Sequence, residues 1–153
     1  MVVILAGTND IGGSLGPVDS EAPKANLRSM VDLARAHNVK VVLSSLTPVC
    51  DYLSPQTDKR PNEKLRLLND WVKEYAAASG VVYLDYRAPM LNETGVLKKE
   101  LTWDGLHPND AGYDLMGPRA AEAVAAALRQ PARFTACPAR KKYSPHPQTG
   151  GNG

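Results

Sequence analysis

Three short stretches dominated by Val, Ile and Leu recur along the chain, at residues 2–6, 39–44 and 81–85. They show little alternation between apolar and polar positions. Runs of this kind are typical of β-strands that are covered on both faces. The hydrophobic pattern therefore predicts three buried strands.

Apolar residues recur at helical spacing in three other segments, and this periodicity predicts three helices. The segments lie at about residues 20–37, 65–79 and 109–129. Gly80 follows the second segment, in the position just past a helix end where glycine is favoured. Pro131 closes the third segment, which is rich in alanine.

Glycine and proline mark the connections between these elements. Residues 7–18 are rich in glycine and predict a loop, and residues 92–95 predict a turn. Residues 45–60 form a long irregular stretch, which is typical of a functional or mobile loop. Residues 87–91 are expected to form a short helical turn. The tail, residues 131–153, shows no apolar period and predicts disorder.

The order strand–helix–strand–helix–strand–helix predicts the fold class. Such alternation implies an α/β domain with a parallel sheet, right-handed crossovers and helices on both faces. We expect one domain over residues 1–130, because a chain of 153 residues can bury one core. Ligands of these sheets bind beyond the carboxyl ends of the strands. This rule places residues 7–13, 44–51 and 85–107 at one edge.

Composition narrows the functional classes only modestly. The hydrophobic content of 43% and the charged content of 22% are ordinary for a globular protein. No apolar run reaches transmembrane length and no cleavable signal is visible, so we expect a soluble protein without a membrane partner. The compartment stays open. The net charge of +2 includes a basic tail, and without its four cations (Arg133, Arg140, Lys141 and Lys142) the body carries about −2. We therefore expect no nucleic-acid partner.

Two segments at the predicted edge carry candidate chemistry. In Asp104-Gly105-Leu106-His107-Pro108, the histidine can act as a general base and the carboxylate can orient it. In Gly7-Thr8-Asn9-Asp10, the Asn9 amide can donate to an oxyanion. Each segment alone also fits an ordinary turn. Together they supply a base, its orienter and an oxyanion donor, which are three of the four parts of a serine-hydrolase site.

These two segments resemble blocks of the SGNH (GDSL-type) hydrolase superfamily, a flavodoxin-like α/β fold of esterases, lipases and acetylhydrolases. Gly7-Thr8-Asn9-Asp10 is similar to its third block and Asp104-Gly105-Leu106-His107 to its fifth. The resemblance covers residues 1 to about 130. It implies ester hydrolysis through an acyl-enzyme, without cofactor, with His107 as base, Asp104 as its orienter and Asn9 as an oxyanion donor.

The nucleophile departs from the family pattern. By the resemblance, the Gly-Asp-Ser block and the block with a second oxyanion donor would precede residue 1, so we expect an N-terminally truncated three-layer domain. Substitute nucleophiles within the sequence are Ser44 and Ser45, at the end of the second strand, and Ser14, in the loop after Asn9. Cys50 would give a Cys–His variant. None of the four follows a tight strand-to-helix turn, which nucleophiles usually exploit.

Two alternatives to a self-sufficient esterase stay open. One is a catalytically inactive remnant that binds a carbohydrate or an acyl ligand in the same cleft. The other is a domain completed by a second chain. In the family's strand order, 2-1-3-4-5, the strand at residues 2–6 would become an exposed edge, and an apolar edge is a template for pairing. We therefore expect a homo-oligomer joined through this edge.

Further features bear on the substrate. No large apolar lid segment is visible, so we expect a small ester with a short acyl group. Trp103 either lines an acyl pocket or packs on the last helix. Residues 7–18 lack the spacing of a dinucleotide or phosphate loop. The three histidines share no metal-ligand spacing with each other or with the cysteines, so we expect no metal site.

Overall fold

A three-stranded parallel sheet forms the centre of the computed structural model, which describes residues 1–13 and 21–131. The strands are β1 (Val2–Ile4), β2 (Val41–Ser44) and β3 (Val82–Leu84), in the spatial order β1-β2-β3. Val3 lies opposite Val42, and Leu43 lies opposite Tyr83. The predicted parallel α/β sheet is therefore confirmed, with each strand shorter than its apolar run.

Helices and one short turn connect the strands. The helices are α1 (Thr8–Ile11), α2 (Glu21–Ala36), α3 (Asn62–Ser79), α4 (Arg87–Met90) and α5 (Asp110–Arg129), and Lys99–Leu101 forms a 3₁₀ turn. The backbone of Gly80 is left-handed just after α3, as expected at a helix end. Within the described residues, no helix has the length and apolar character needed to cross a membrane.

The prediction of a loop after β1 was wrong for residues 8–11, which form helix α1. Gly7, three residues after the end of the strand, has a φ of 120° and turns the chain, so a helical turn can begin at Thr8. A single turn bounded by glycines has too little apolar periodicity to be recognised in a sequence. Residues 14–18 of the predicted loop and residues 132–153 of the predicted disordered tail lie outside the described residues.

Separate cores on the two sides of the sheet confirm the three layers. On one side, α2 and α3 pack against the strands through Ile4, Val31, Leu43, Leu65 and Val72. On the other side, α5 packs against β2 and β3. This second core contains Val42, Leu84, Ala123 and Ala127. The chemistry-bearing loops leave the sheet at the carboxyl ends of all three strands, between these layers.

β1 is an edge strand within the described part of the chain, because its ladder partner is β2 alone. The exposed apolar residues Met1, Val3 and Leu5 lie in or next to this strand. Val3 is in register with Val42, which belongs to the core beneath α5. The sheet therefore presents an apolar margin on the β1 side.

The first part of the long loop after β2 is buried and clamped by α3. The Asn69 side chain accepts a hydrogen bond from the backbone N–H of Leu46 at 2.7 Å and donates to its carbonyl at 3.0 Å. Asn62 makes the same pair of bonds with Val49, at 3.1 and 2.9 Å. Two asparagines on one helix thus replace the backbone partners that a strand would have provided.

Candidate active site

Asp104 and His107 form a hydrogen-bonded pair in the loop before α5. His107 Nδ1 lies 2.8 Å from Asp104 Oδ2, and the other carboxylate oxygen accepts the backbone N–H groups of Leu106 and His107, at 2.9 and 2.8 Å. The His107 side chain is 70% exposed and the Asp104 side chain is 37% exposed. The imidazole therefore faces solvent, with its Nδ1 held by a carboxylate.

The ionised form of Asp104 is stabilised by these contacts. Partial burial disfavours the charge, but the hydrogen bonds from the backbone and ring of His107 and from the backbone of Leu106 outweigh it. Together they lower the pKa of Asp104 to about 2. At neutral pH the carboxylate is therefore negative, and it lies 2.8 Å from Nδ1 of His107.

Thr102 closes the loop that carries this pair. Its hydroxyl donates to the His107 carbonyl at 2.8 Å and accepts the Gly105 N–H at 2.9 Å. The Trp103 N–H also donates to the His107 carbonyl, at 3.0 Å. The loop between residues 102 and 108 is thus a compact ring of hydrogen bonds, and its shape fixes the distance between Asp104 and His107.

Asn109 anchors this loop to the start of α5. Its side-chain oxygen accepts the Gly112 N–H at 3.0 Å, which caps the helix, and its amide nitrogen donates to the Glu100 carbonyl at 2.9 Å. A Cβ at residue 112 would lie 2.5 Å from the Leu101 carbonyl oxygen, so the absence of a side chain at Gly112 avoids a clash. The helix start can therefore lie directly against the segment that precedes the Asp104 loop.

Asn9 lies on α1, at the carboxyl end of β1, and its side-chain oxygen lies 3.3 Å from Arg60 Nη2. A chain of side-chain contacts continues from there. Arg60 donates to Gln56 at 3.0 Å, Gln56 donates to Ser54 at 2.7 Å, and the Ser54 hydroxyl lies 3.4 Å from the Asp104 carbonyl oxygen. One segment, residues 54–60, therefore joins the Asn9 and Asp104 regions at the same edge of the sheet.

Two of the substitute nucleophiles have structural partners. The Ser45 hydroxyl is fully buried and accepts the N–H groups of Tyr86 and Arg87, at 2.9 and 3.0 Å. The Ser44 hydroxyl is buried and donates to the Ile4 carbonyl at 3.1 Å. These bonds join the ends of the strands. Both hydroxyls are thus engaged with backbone groups, which makes Ser44 and Ser45 weak candidates for the nucleophile.

Of the other two substitutes, one is buried and one lies outside the described residues. Cys50 is buried, and burial raises the pKa of its thiol, which disfavours the reactive thiolate. Ser14 lies outside the described residues. The described part of the chain therefore holds a candidate base, a carboxylate bonded to it and a candidate oxyanion donor, without an accessible hydroxyl bonded to the candidate base.

Two exposed apolar side chains lie in or near the Asp104 loop. Trp103 is 60% exposed, which contradicts the alternative that it packs as a buried aromatic on the last helix. Leu53 is 80% exposed and has a φ of 61°, a left-handed conformation that is rare for leucine. Strained residues of this kind cluster at functional sites.

Comparison with known proteins identifies the family. Residues 1–115 match the sequence model of the GDSL-like lipase/acylhydrolase family. Over 129 residues, the chain is 31% identical to GDSL lipase Rv0518 of Mycobacterium tuberculosis, an alignment that covers 84% of this chain and 51% of that protein. The chain belongs to the GDSL-like lipase/acylhydrolase family. The resemblance to SGNH hydrolases is thereby confirmed.

Solved structures agree with this assignment. A GDSL-like lipase from Bacteroides thetaiotaomicron (BT0569) superposes with a TM-score of 0.76 at 33% identity, covering 84% of this chain and 63% of that one. The acetylxylan esterase Axe2 from Geobacillus stearothermophilus shares the fold, with a TM-score of 0.63 at 21% identity, covering 80% of this chain and 58% of that one. The chain thus spans about half to three fifths of the length of these proteins.

Sequence reasoning missed Arg60, Gln56 and Thr102, which organise the site without resembling catalytic residues. Thr102 precedes Asp104 by two residues, where a hydroxyl commonly bonds to nearby backbone groups, and this signal was available. Arg60 and Gln56 lie in the long loop, and their contacts depend on how that loop folds over α1.

Proposed function

We propose that the protein acts as a serine-type esterase on short-chain acyl esters, through an acyl-enzyme. The observation that carries the proposal is the 2.8 Å bond between His107 Nδ1 and Asp104 Oδ2, in a member of an acylhydrolase family. The intact pair favours hydrolysis over the alternative of an inactive remnant that only binds a carbohydrate or acyl ligand.

In the proposed mechanism, Nδ1–H of His107 donates to Asp104, which leaves Nε2 free to accept a proton. Nε2 takes the proton of a nucleophilic hydroxyl as that oxygen attacks the ester carbonyl carbon. Asn9 Nδ2 donates to the negative oxygen that develops. The C–O bond to the alcohol then breaks and His107 returns the proton to the leaving oxygen. Water releases the acyl group by the same steps.

We propose that the nucleophilic hydroxyl comes from outside the described residues. Ser44 and Ser45 are committed to backbone partners, so Ser14 or a hydroxyl from a chain packed beside β1 is the better candidate. The open edge and exposed apolar residues of β1 support the second source. We propose accordingly that a second copy of the chain packs along β1 in a homo-oligomer.

The substrate proposed is a small ester with a short acyl group. Trp103 and Leu53 supply exposed apolar surface near the Asp104 loop, which would favour contact with a short acyl chain.

The test is covalent labelling with a fluorophosphonate probe, followed by peptide mapping and by assay on p-nitrophenyl acetate. We expect labelling of one hydroxyl and hydrolysis that falls by at least about 10³-fold in His107→Ala. His37→Ala is the matched control, since His37 is exposed at the far end of α2, and it should retain full activity. Hydrolysis equal in the wild type and in His107→Ala, without labelling, would refute the esterase.

The proposed assembly has its own test in light scattering at micromolar concentration. We expect an oligomer for the wild type and a monomer for Val3→Lys, because a charge at the edge strand opposes pairing. Leu33→Lys, on the exposed face of α2, should leave the assembly unchanged. A monomeric wild type would exclude association through β1.

A further inference from the structure

Arg60 is a buried cation directly behind Asn9. The residue is only 9% exposed, and its two terminal nitrogens bind two different side-chain oxygens, Oδ1 of Asn9 at 3.3 Å and Oε1 of Gln56 at 3.0 Å. The guanidinium also lies against Gly12, where a Cβ would stand 3.0 Å from its atoms. The end of α1 therefore rests on this guanidinium, and a side chain at residue 12 would displace it.

The charge of Arg60 has no carboxylate beside it in the described part of the chain. The ion pairs within 4 Å there do not include Arg60, and its hydrogen-bond acceptors are neutral amides. Its Nε is buried without a hydrogen-bond partner. Burying a charge without a counter-charge is costly, so the lack of a carboxylate partner for Arg60 among the described residues calls for a functional explanation.

We propose that Arg60 is the positioning residue for the oxyanion donor. An asparagine amide has an oxygen at one end and a nitrogen at the other, and a cation bound to the oxygen excludes the flipped orientation. With Oδ1 held by Arg60, the Nδ2 hydrogens of Asn9 point away from the guanidinium. The inference rests on the proposed function of Asn9.

The electrostatic effect acts in the same direction as the geometry. A cation that binds the amide oxygen polarises the amide and strengthens its N–H groups as donors. The positive charge of Arg60 also favours a negative oxygen on the far side of Asn9. A lysine cannot replace this arrangement, because its single ammonium lacks the planar fork that reaches Asn9 and Gln56 at once.

The first test measures the Asn9 amide itself and does not depend on turnover. In ¹⁵N relaxation experiments on the full chain, the Asn9 side-chain signal, assigned by its loss in Asn9→Ala, should report a rigid amide. We expect its order parameter to fall clearly in Arg60→Met. Arg60→Lys is the second variant, in case Arg60→Met does not fold. Arg66→Met is the control, because Arg66 pairs with Glu63 and Asp70 on the exposed face of α3.

The second test is a double-mutant cycle on p-nitrophenyl acetate. We expect Arg60→Met to lower kcat by about 10–100-fold with little change in KM, as for loss of an interaction made in the transition state. In an Asn9→Ala background, the same substitution should have almost no further effect, since Arg60 acts through Asn9. A merely structural Arg60 would lower activity in both backgrounds.

The outcomes separate the two proposals. An amide equally rigid in the wild type, Arg60→Met and Arg60→Lys overturns the positioning of Asn9, whether or not the protein hydrolyses esters. If both Arg60 substitutions loosen the Asn9 amide but the wild type does not hydrolyse esters, the esterase proposal is refuted. The positioning of Asn9 by Arg60 is then supported. If Arg60→Met lowers kcat equally in the wild-type and Asn9→Ala backgrounds, Arg60 does not act through Asn9.

Discussion

A β-carbon at residue 105 would lie 2.1 Å from the carbonyl oxygen of Cys50. The backbones of Gly105 and Cys50 are in direct contact, and the Cys50 N–H donates to the Gly105 carbonyl at 2.9 Å. Gly105 also has a φ of 90°, which residues other than glycine rarely adopt. The loop that carries Asp104 and His107 is therefore seated on the long loop after β2.

Replacement of Gly105 by alanine should unseat that loop. We expect Gly105→Ala to lower the free energy of unfolding by about 2–4 kcal/mol, from the clash and the strained backbone. Gly117→Ala is the matched control, since no atom lies within 4 Å of a Cβ there and alanine favours the helix by about 0.5–1 kcal/mol. Urea denaturation measures both, and equal stability of the two variants would contradict the seating.

The lowered pKa of Asp104 predicts a loss of stability in acid. The carboxyl group titrates at about 2 in the folded protein and at about 3.9 in an unfolded chain, so its contribution is complete above about pH 5 and disappears as the pH falls through 2. Because the side chain is more than a third exposed, we expect only about 1 kcal/mol after screening by solvent.

Asp104→Asn checks this contribution. Urea midpoints at pH 5, 3 and 2 should show the wild type losing its advantage over the variant as the pH falls. Asp58→Asn provides a comparison at an exposed carboxylate. A gap between wild type and Asp104→Asn that stays constant from pH 5 to pH 2 would show that the Asp104 charge does not contribute.

The clamp on the loop after β2 predicts a large effect from a single amide. Asn69→Ala removes both partners of the buried Leu46 backbone, and unsatisfied buried groups cost about 1–3 kcal/mol each. We expect a loss of about 2–4 kcal/mol in the free energy of unfolding. Lys73→Ala, on an exposed position of the same helix, should change it by less than about 0.5 kcal/mol. Similar losses in both variants would contradict the clamp.

Leu53 is expected to serve the substrate rather than the fold. Its neighbours contact the Asp104 loop, since the Ser54 hydroxyl lies 3.4 Å from the Asp104 carbonyl and a Cβ on Gly105 would lie 3.2 Å from Tyr52 N. Leu53→Gly should leave stability within about 0.5 kcal/mol, because glycine adopts a positive φ freely.

The same variant should raise KM for p-nitrophenyl butyrate more than for the acetate, by about threefold or more, as apolar contact is lost. Leu67→Ala, which removes an exposed leucine from α3, should affect neither substrate. If Leu53→Gly binds the two esters as the wild type does, Leu53 has no part in the acyl site.

The sequence was most informative where a local pattern of residues determines the local structure. Continuous apolar runs predicted the three strands, and the Asp104–His107 spacing predicted a pair that the structure holds at 2.8 Å. Helix α1 was missed because a single turn between glycines has no periodicity. Ser44 and Ser45 looked available because they end a strand, but their hydroxyls bind backbone groups from other strands and turns, which no local pattern encodes.

The long loop after β2 also depends on contacts between residues that are far apart in the sequence. Its length and prolines were typical of a mobile segment, yet Asn62 and Asn69 hold its first part against α3. Arg60 then lies two residues before that helix and reaches Asn9. These contacts join residues that are 13 to 51 positions apart, so a reading of neighbouring residues could not find them.

The two asparagine clamps have a practical consequence for engineering of this loop. Residues 45–69 form one structural unit, here called the cassette, because Asn62 and Asn69 of α3 hold the loop that precedes the helix. A graft of substrate preference from another family member should therefore transfer this cassette whole. Variation within it belongs at the tip, residues 52–55, which Asp51 brackets through its bonds to Gln56 and Thr57.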